Sequence, residues 1–380
     1  MIYLDHHATT PVDARVLEAM LPYFSEKFGN PASKHHRFGW EANDAVEHAR
    51  KQVAALIGAG SKDVIFTSGG TEANNLAVKG AAKARGEDRN QLVSVTTEHK
   101  AVLDPMVRLG KSGFRVLPLP VDAAGRIELN VLEGVMTDRT ALVSVMAANN
   151  EIGVLQPIKE AAAIAHRHGA WFHTDAVQAA GRVPFNVDEL DVDLATISAH
   201  KIYGPKGIGA LYVRRKRVAI DAEIDGGGHE RGLRSGTLNV PAIVGFGRAA
   251  EIARAEMESE AKRVDALRDR LLSGLQSRID RITVNGAMDQ RLPGNLNVSF
   301  ADVDGEALLV SLDDIAVSSG AACTQAEPSH VLLALGMKTD QALASLRFGI
   351  GRSTTADEVD YAAEKVASVV GRLRQLSPVG

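Results

Sequence analysis

From about residue 60 to residue 215, short apolar runs alternate with amphipathic stretches. "DVIFTSG" reads as a strand and the "TEANNLAVKGAAKAR" that follows it as a helix. "QLVSVTTEH", "TALVSVMAANN", "AWFHTDA", "LATISAHK" and "KGIGALYVRR" read as further strands, with helical segments such as "PIKEAAAIAHRHG" between several of them. Near-continuous apolar runs suit strands covered on both faces, so this β-then-α alternation predicts a mainly parallel sheet flanked by helices. Near 241–281 the pattern changes to a long charged amphipathic helix, "GRAAEIARAEMESEAKRVDALRDRLLSGLQSRI". Beyond it, strands ("GNLNVSF", "DIAVSSG") mix with helices ("GEALLVSL", "SHVLLALG", "TADEVDYAAEKVASVVGRLRQL"). The expectation is a second, smaller α/β domain with the long helix as connector.

Composition narrows the class. The chain has 380 residues, beyond the ~250–300 at which a single core stops growing. A net charge of −4 without charged blocks gives no electrostatic footprint for nucleic acid or an anionic membrane. No apolar run approaches the ~18 residues of a membrane span. The opening "MIYLDHHATTPVD" lacks the basic and apolar regions of a signal peptide. Cys323 is the single cysteine, which rules out an internal disulfide and fits a reducing cytosol. A cytoplasmic globular protein is expected. A lone cysteine is most often a small core residue, yet Cys323 sits in "VSSGAACTQAEPSH", where Ser, Gly and Ala offer little core.

In such sheets ligands sit beyond the carboxyl ends of the strands, so the polar residues that end these strands should converge. They are the turn Thr67-Ser68-Gly69-Gly70-Thr71, then Glu98-His99, Asn149-Asn150, Asp175 with Gln178, and Ser198-His200-Lys201. A glycine-rich turn at a helix N-terminus binds phosphate through free N–H groups and the helix dipole. The alternative is an ordinary capped helix start, with Ser68 or Thr71 as the cap. Asp175 reads equally as a cap of the next helix, and Lys201 as a surface lysine. Taken together, however, a phosphate turn, an Asp able to face a pyridinium nitrogen and a Lys able to form an imine are what pyridoxal phosphate requires. "GFGRAA" (245–250) matches a dinucleotide fingerprint but lacks a βαβ unit around it. The pairs His6-His7, His35-His36 and His166/His168 have the wrong spacing for one helix face, so no metal site is expected.

These residues carry a family. The chain resembles the NifS/IscS-type cysteine desulfurases, fold-type I pyridoxal-phosphate enzymes of aminotransferase class V. The similarity runs nearly end to end through "YLDHHATTPVD", "FGNPASKHHRFG", "FTSGGTEANNLA", "TTEHKAVLD", "NNEIGVLQPI", "HTDAVQAAGRVP", "SAHKIYGPKGIG", "GGGHERGLRSGTLN", "SSGAAC" and "LRFGIGRSTT". The resemblance implies a large cofactor-binding domain over 15–250 and a small domain made of 1–14 with 251–380. It implies that Lys201 is the Schiff-base lysine, that Asp175 pairs with the ring nitrogen, that Gln178 contacts the ring hydroxyl and that His99 stacks on the ring and handles protons. Gly70, Thr71, Ser198 and His200 would hold the phosphate. Thr237 would reach the phosphate of a second subunit, which implies a homodimer. Asn150 and Arg347 would clamp the substrate carboxylate, a task that suits the planar fork of arginine; on its own, Arg347 reads as well as a structural ion pair. Cys323 would be the nucleophile that takes sulfur from L-cysteine as a persulfide and leaves L-alanine.

Two departures from the family pattern stand out. Only "TQA" separates Cys323 from Glu327, where long-loop members have a longer spacer, and the chain stops at "LSPVG", where housekeeping members continue with a tail that grips an iron–sulfur scaffold protein. The sulfur acceptor therefore stays open between that scaffold, another protein and a thiol reductant. Other readings of the same residues are a selenocysteine lyase or class V aminotransferase, which needs Lys201 and Asp175 but not Cys323, and a non-catalytic binding paralogue.

Overall fold

Runs of Val, Ile, Leu and Ala buried on both faces build the main sheet. The structure, a computed structural model, describes residues 1–86, 88–319 and 327–376. After a short β1 (Ile2–Tyr3), the main sheet takes β2 (Val64–Thr67), β3 (Gln91–Val95), β4 (Arg115–Leu119), β5 (Thr140–Ser144), β6 (Trp171–Asp175), β7 (Leu194–Ser198) and β8 (Gly209–Val213). Their order is β2-β8-β7-β6-β5-β3-β4. The β4-β3-β5-β6-β7 pairs are parallel, whereas β8 is antiparallel to both β7 and β2. "KGIGALYVRR" thus supplies an antiparallel strand within an otherwise parallel sheet. Neighbouring residues point to opposite faces: Val64 and Phe66 enter one core, Ile65 the other. Fully burying a side chain such as Phe66 or Phe172 contributes roughly 1.5–3 kcal/mol.

A smaller antiparallel sheet, ordered β12-β13-β10-β9, is built from β9 (Ile282–Val284), β10 (Asn295–Phe300), β12 (Ser318–Ser319) and β13 (Ser345–Gly349). β11 (Ile315–Ala316) pairs instead with β1 in parallel, and Leu4 joins the core beneath this sheet. The helix Val240–Gln276 starts where the helix expected near 241–281 starts and ends five residues short of it. Its first half, through Ala253, packs in the main core, and its second half, from Val264 to Leu275, packs against Leu296, Phe348 and Val366 of the small sheet's core. "GFGRAA" lies inside this helix rather than at a nucleotide-binding turn.

Candidate active site

Because β8 is antiparallel to both neighbours, β2 runs in the same direction as β7. The carboxyl ends of β2, β3, β5, β6 and β7 therefore share one edge, and the turns leaving them meet there. They enclose a cavity of about 300 Å³ lined by Gly70, Thr71, His99, Asn150, Asp175, Gln178, Ser198, His200 and Lys201, together with Ala8, Asn74, Met146 and Val177.

The turn after β2 is shaped by Gly69, whose φ of +154° is open to glycine alone. It launches the helix Gly70–Arg85 without a side-chain cap, so neither Ser68 nor Thr71 is the N-cap; instead the Glu72 carboxylate accepts from the Ser68 N–H at 2.8 Å. The first turn of a helix leaves its N–H groups without partners inside the helix, and Gly70 and Thr71 of that turn line the cavity.

Asp175 ends β6 and is 6% exposed. One carboxylate oxygen accepts from Asn74 Nδ2 at 2.6 Å and the other from the Val177 N–H at 2.9 Å. Gln178 donates to the His7 carbonyl at 2.8 Å. The Lys201 Nζ donates to the carbonyls of His7 and Ala8, both at 2.6 Å. Burial, followed by the charges of Arg182 and Arg347, pulls this amine from 10.5 down to about 7, against the weaker opposing pull of Asp175 and Asp5. His200 contacts Thr9 Oγ1 at 3.1 Å and is pushed down to about 4, first by burial and then by Lys201, so it is neutral near pH 7. His99 caps the helix Lys100–Gly110: its Nδ1 accepts from the Ala101 N–H at 3.1 Å. With Nδ1 occupied as an acceptor, the neutral ring carries its proton on Nε2.

Arg347 stands on β13, outside the cavity lining. It donates to the Asn150 carbonyl at 2.9 Å, to Asp5 at 2.8 Å and to Ser318 Oγ at 2.7 Å, so the ion pair considered above exists. Its buried Nε has no hydrogen-bond partner among the described residues. Thr237 is exposed and does not line the cavity of its own chain. Cys323 lies outside the described residues. The residues flanking its segment approach the site: Ser318 contacts Arg347, Ser329 donates to Glu151, and His330 Nε2 lies 2.9 Å from the Glu98 carbonyl.

Sequence reading missed Asn74, His7 and Arg182, and it named Glu98 among the strand-end groups without giving it a role. Glu98 is fully buried, and burial followed by the nearby Asp175 raises its carboxyl well above the ordinary range. The signal for Asn74 was present, since it faces the cavity three residues after Thr71 on the helix whose start forms the turn. Arg182 and His7 meet across the fold at 2.5 Å, and no local pattern announces that contact.

The aminotransferase class-V family pattern matches residues 2–362. A cysteine desulfurase IscS of Anaeromyxobacter sp. (strain Fw109-5) is 58% identical over all of this chain and 94% of its own length. The corresponding Rickettsia felis protein is 54% identical over all of this chain and 93% of its own. Among solved structures, a NifS-like protein superposes with a TM-score of 0.92 at 41% identity, covering 98% of this chain and 100% of that one. SspA in complex with cysteine superposes with a TM-score of 0.80 at 34% identity, covering 93% and 100%. Fold and site together define an α/β enzyme of the fold-type I pyridoxal-phosphate class. The chain belongs to the class-V aminotransferase family, in its NifS/IscS-type branch.

Proposed function

We propose that this chain is a pyridoxal 5'-phosphate-dependent cysteine desulfurase that converts L-cysteine to L-alanine and carries the sulfur as a persulfide on Cys323. The observation that carries this reading is the meeting, in one cavity, of a helix N-terminus, a hydrogen-bonded carboxylate and an amine lowered to about 7. That donor set fits the cofactor. Gly70, Thr71, Ser198 and His200 would hold its phosphate, Lys201 its carbonyl carbon, Asp175 its ring nitrogen and Gln178 its ring hydroxyl, with His99 against the ring. Bound there, the cofactor supplies an electron sink next to the substrate's Cα.

The remaining steps fall to this chain's own residues. The unpartnered Nε of Arg347, with Asn150 beside it, takes the substrate carboxylate. The Cys323 thiolate attacks the substrate sulfur, so that an S–S bond forms as the C–S bond breaks, and the pair of that bond stays with the substrate carbon, which takes a proton on the way to L-alanine. His99, whose Nδ1 is held by the Ala101 N–H, faces this reaction through Nε2, and it or the substrate itself takes the proton of the Cys323 thiol. The sulfur passes on to an acceptor protein, of the kind that feeds iron–sulfur cluster assembly. We assign 15–250 to the cofactor-binding domain, and 1–14 with 251–380 to the domain that brings Arg347 and Cys323. The protein works as a homodimer in which Thr237 completes the partner's phosphate site. In support, Thr237 is exposed away from its own cavity, and Phe24, Phe28, Phe38 and Trp40 are each at least 50% exposed, with the Phe28 and Phe38 rings 5.3 Å apart. No helix of the described residues is long and apolar enough to cross a membrane, and a cytoplasmic location fits the single cysteine.

The test is mass spectrometry after brief exposure to L-cysteine. One added sulfur atom on Cys323, absent in Cys323→Ala together with alanine release, is the expected result. Wild-type alanine or sulfide release by Cys323→Ala would refute the assignment.

A further inference from the structure

One charged group at the site has no role in the scheme above. Arg182 lies beyond the end of β6, half-buried, outside the cavity lining, with its guanidinium against the backbone of Lys201. It donates to the His6 carbonyl at 2.8 Å and the Lys201 carbonyl at 3.0 Å, and it contacts His7 Nδ1. Lys201 grips the same short segment from the other side, through the carbonyls of His7 and Ala8. Two carbonyls use the two N–H donors of a neutral amine and leave its lone pair free, whereas an ammonium has a third donor to satisfy.

Arg182 pairs with no carboxylate among the described residues. The carboxylate whose field reaches it, Glu260, is engaged with Arg352 at 2.8 Å instead. The other charged and titratable groups facing Lys201 largely cancel or are neutral. Arg347 from β13 is neutralised by Asp5 of the N-terminal segment at 2.8 Å. His7 and His200 are both held uncharged by burial. Asp175, at the end of β6, opposes Arg182 but acts on the lysine more weakly.

We propose that Arg182 is a positioning residue for Lys201: it braces the His6–Ala8 segment whose carbonyls aim the amine, and it sets behind that segment a charge that no contacting carboxylate among the described residues neutralises, which adds to burial in favouring the lysine's neutral, nucleophilic form. The proposal rests on the reading of Lys201 as the lysine that attaches the cofactor. It also accounts for the choice of residue, since an arginine does not surrender its proton near neutral pH and a carboxylate partner would cancel its effect.

The experiment measures the pH dependence of covalent attachment when pyridoxal phosphate is added back to the stripped full-length protein, followed by absorbance. In parallel, the pH dependence of Lys201 acylation by an amine reagent is read by peptide mass spectrometry. In the wild type both midpoints are expected near 7. In Arg182→Met both should rise by about one pH unit or more, and Arg182→Lys should restore them toward the wild-type value. An unmoved midpoint in folded Arg182→Met overturns the proposal. If Arg182→Met does not fold, Arg182→Gln, which keeps an N–H donor for the segment but carries no charge, decides: a raised acylation midpoint supports the proposal, and an unmoved one overturns it. Reduction with borohydride separates the two claims. Absence of the cofactor's mass on Lys201 ends the attachment reading, whereas the acylation midpoints still judge Arg182.

Discussion

Two arginines turned into the large domain make a useful contrast. Arg50 is 3% exposed and grips Glu230 through two bonds of 2.6 and 2.7 Å, while that carboxylate also accepts from the Phe66 N–H at 2.7 Å. Arg182 has carbonyls and an imidazole as partners. In the first region charge is matched by charge, and the result is a fixed strut between β2 and the segment that leads to Thr237. Glu230 and Arg231 both have positive φ, at 47° and 60°, so the strut holds a backbone that would not persist unaided. In the second region no carboxylate among the described residues contacts the charge, and its field falls on Lys201. A paired inward-facing arginine shapes the chain, whereas an unpaired one changes the chemistry of its neighbours.

The contrast can be broken in three ways. The largest effect should come from Arg50→Met, which strands the buried Glu230 carboxylate. We expect a loss of about 3–5 kcal/mol in denaturant unfolding, and a loss below 1 kcal/mol would show that the pair is not a strut. Arg182→Met removes hydrogen bonds but strands no charge, so its cost should be about 1–3 kcal/mol. A larger loss than that of Arg50→Met would invert the comparison. The smallest effect concerns a buried group with no countercharge, His173, which bonds Ser144 and Thr196 and is held down to about 3 by burial. A base with a depressed folded pKa adds no pH dependence above its unfolded value of ~6.5 and loses stability as pH falls below it. Between pH 6.5 and 5.5 this amounts to about 1 kcal/mol, and His173→Asn should flatten that part of the stability curve.

Much of this was legible in the chain. The strands are apolar runs bounded by polar turns, and β2, β3, β5, β6 and β7 each deliver at least one cavity residue where the run stops. β4 was not read, because "RVLPL" carries Pro118 and exposed positions; it lies at the sheet edge, where a proline is tolerated. The direction of β8 was hidden as well, since a fully buried run looks the same parallel or antiparallel. Within the site, residues at strand ends were readable one by one. Arg182 behind Lys201 was not, because its role arises from partners 176 and 19 residues away, at His6 and Lys201. Sequence spacing also gave no sign that Arg347 would divide its donors among Asp5, Ser318 and Asn150.

The helix Val240–Gln276 runs unbroken through both cores. At a rise of ~1.5 Å per residue it is a rod of roughly 55 Å, clamped at each end by packed side chains and crossing between them along its charged stretch from Arg254 to Lys262. A rod held at both ends has no pivot. Any displacement of the small sheet relative to the main one would have to flex this shaft, so the helix ties the two cores together as an elastic beam.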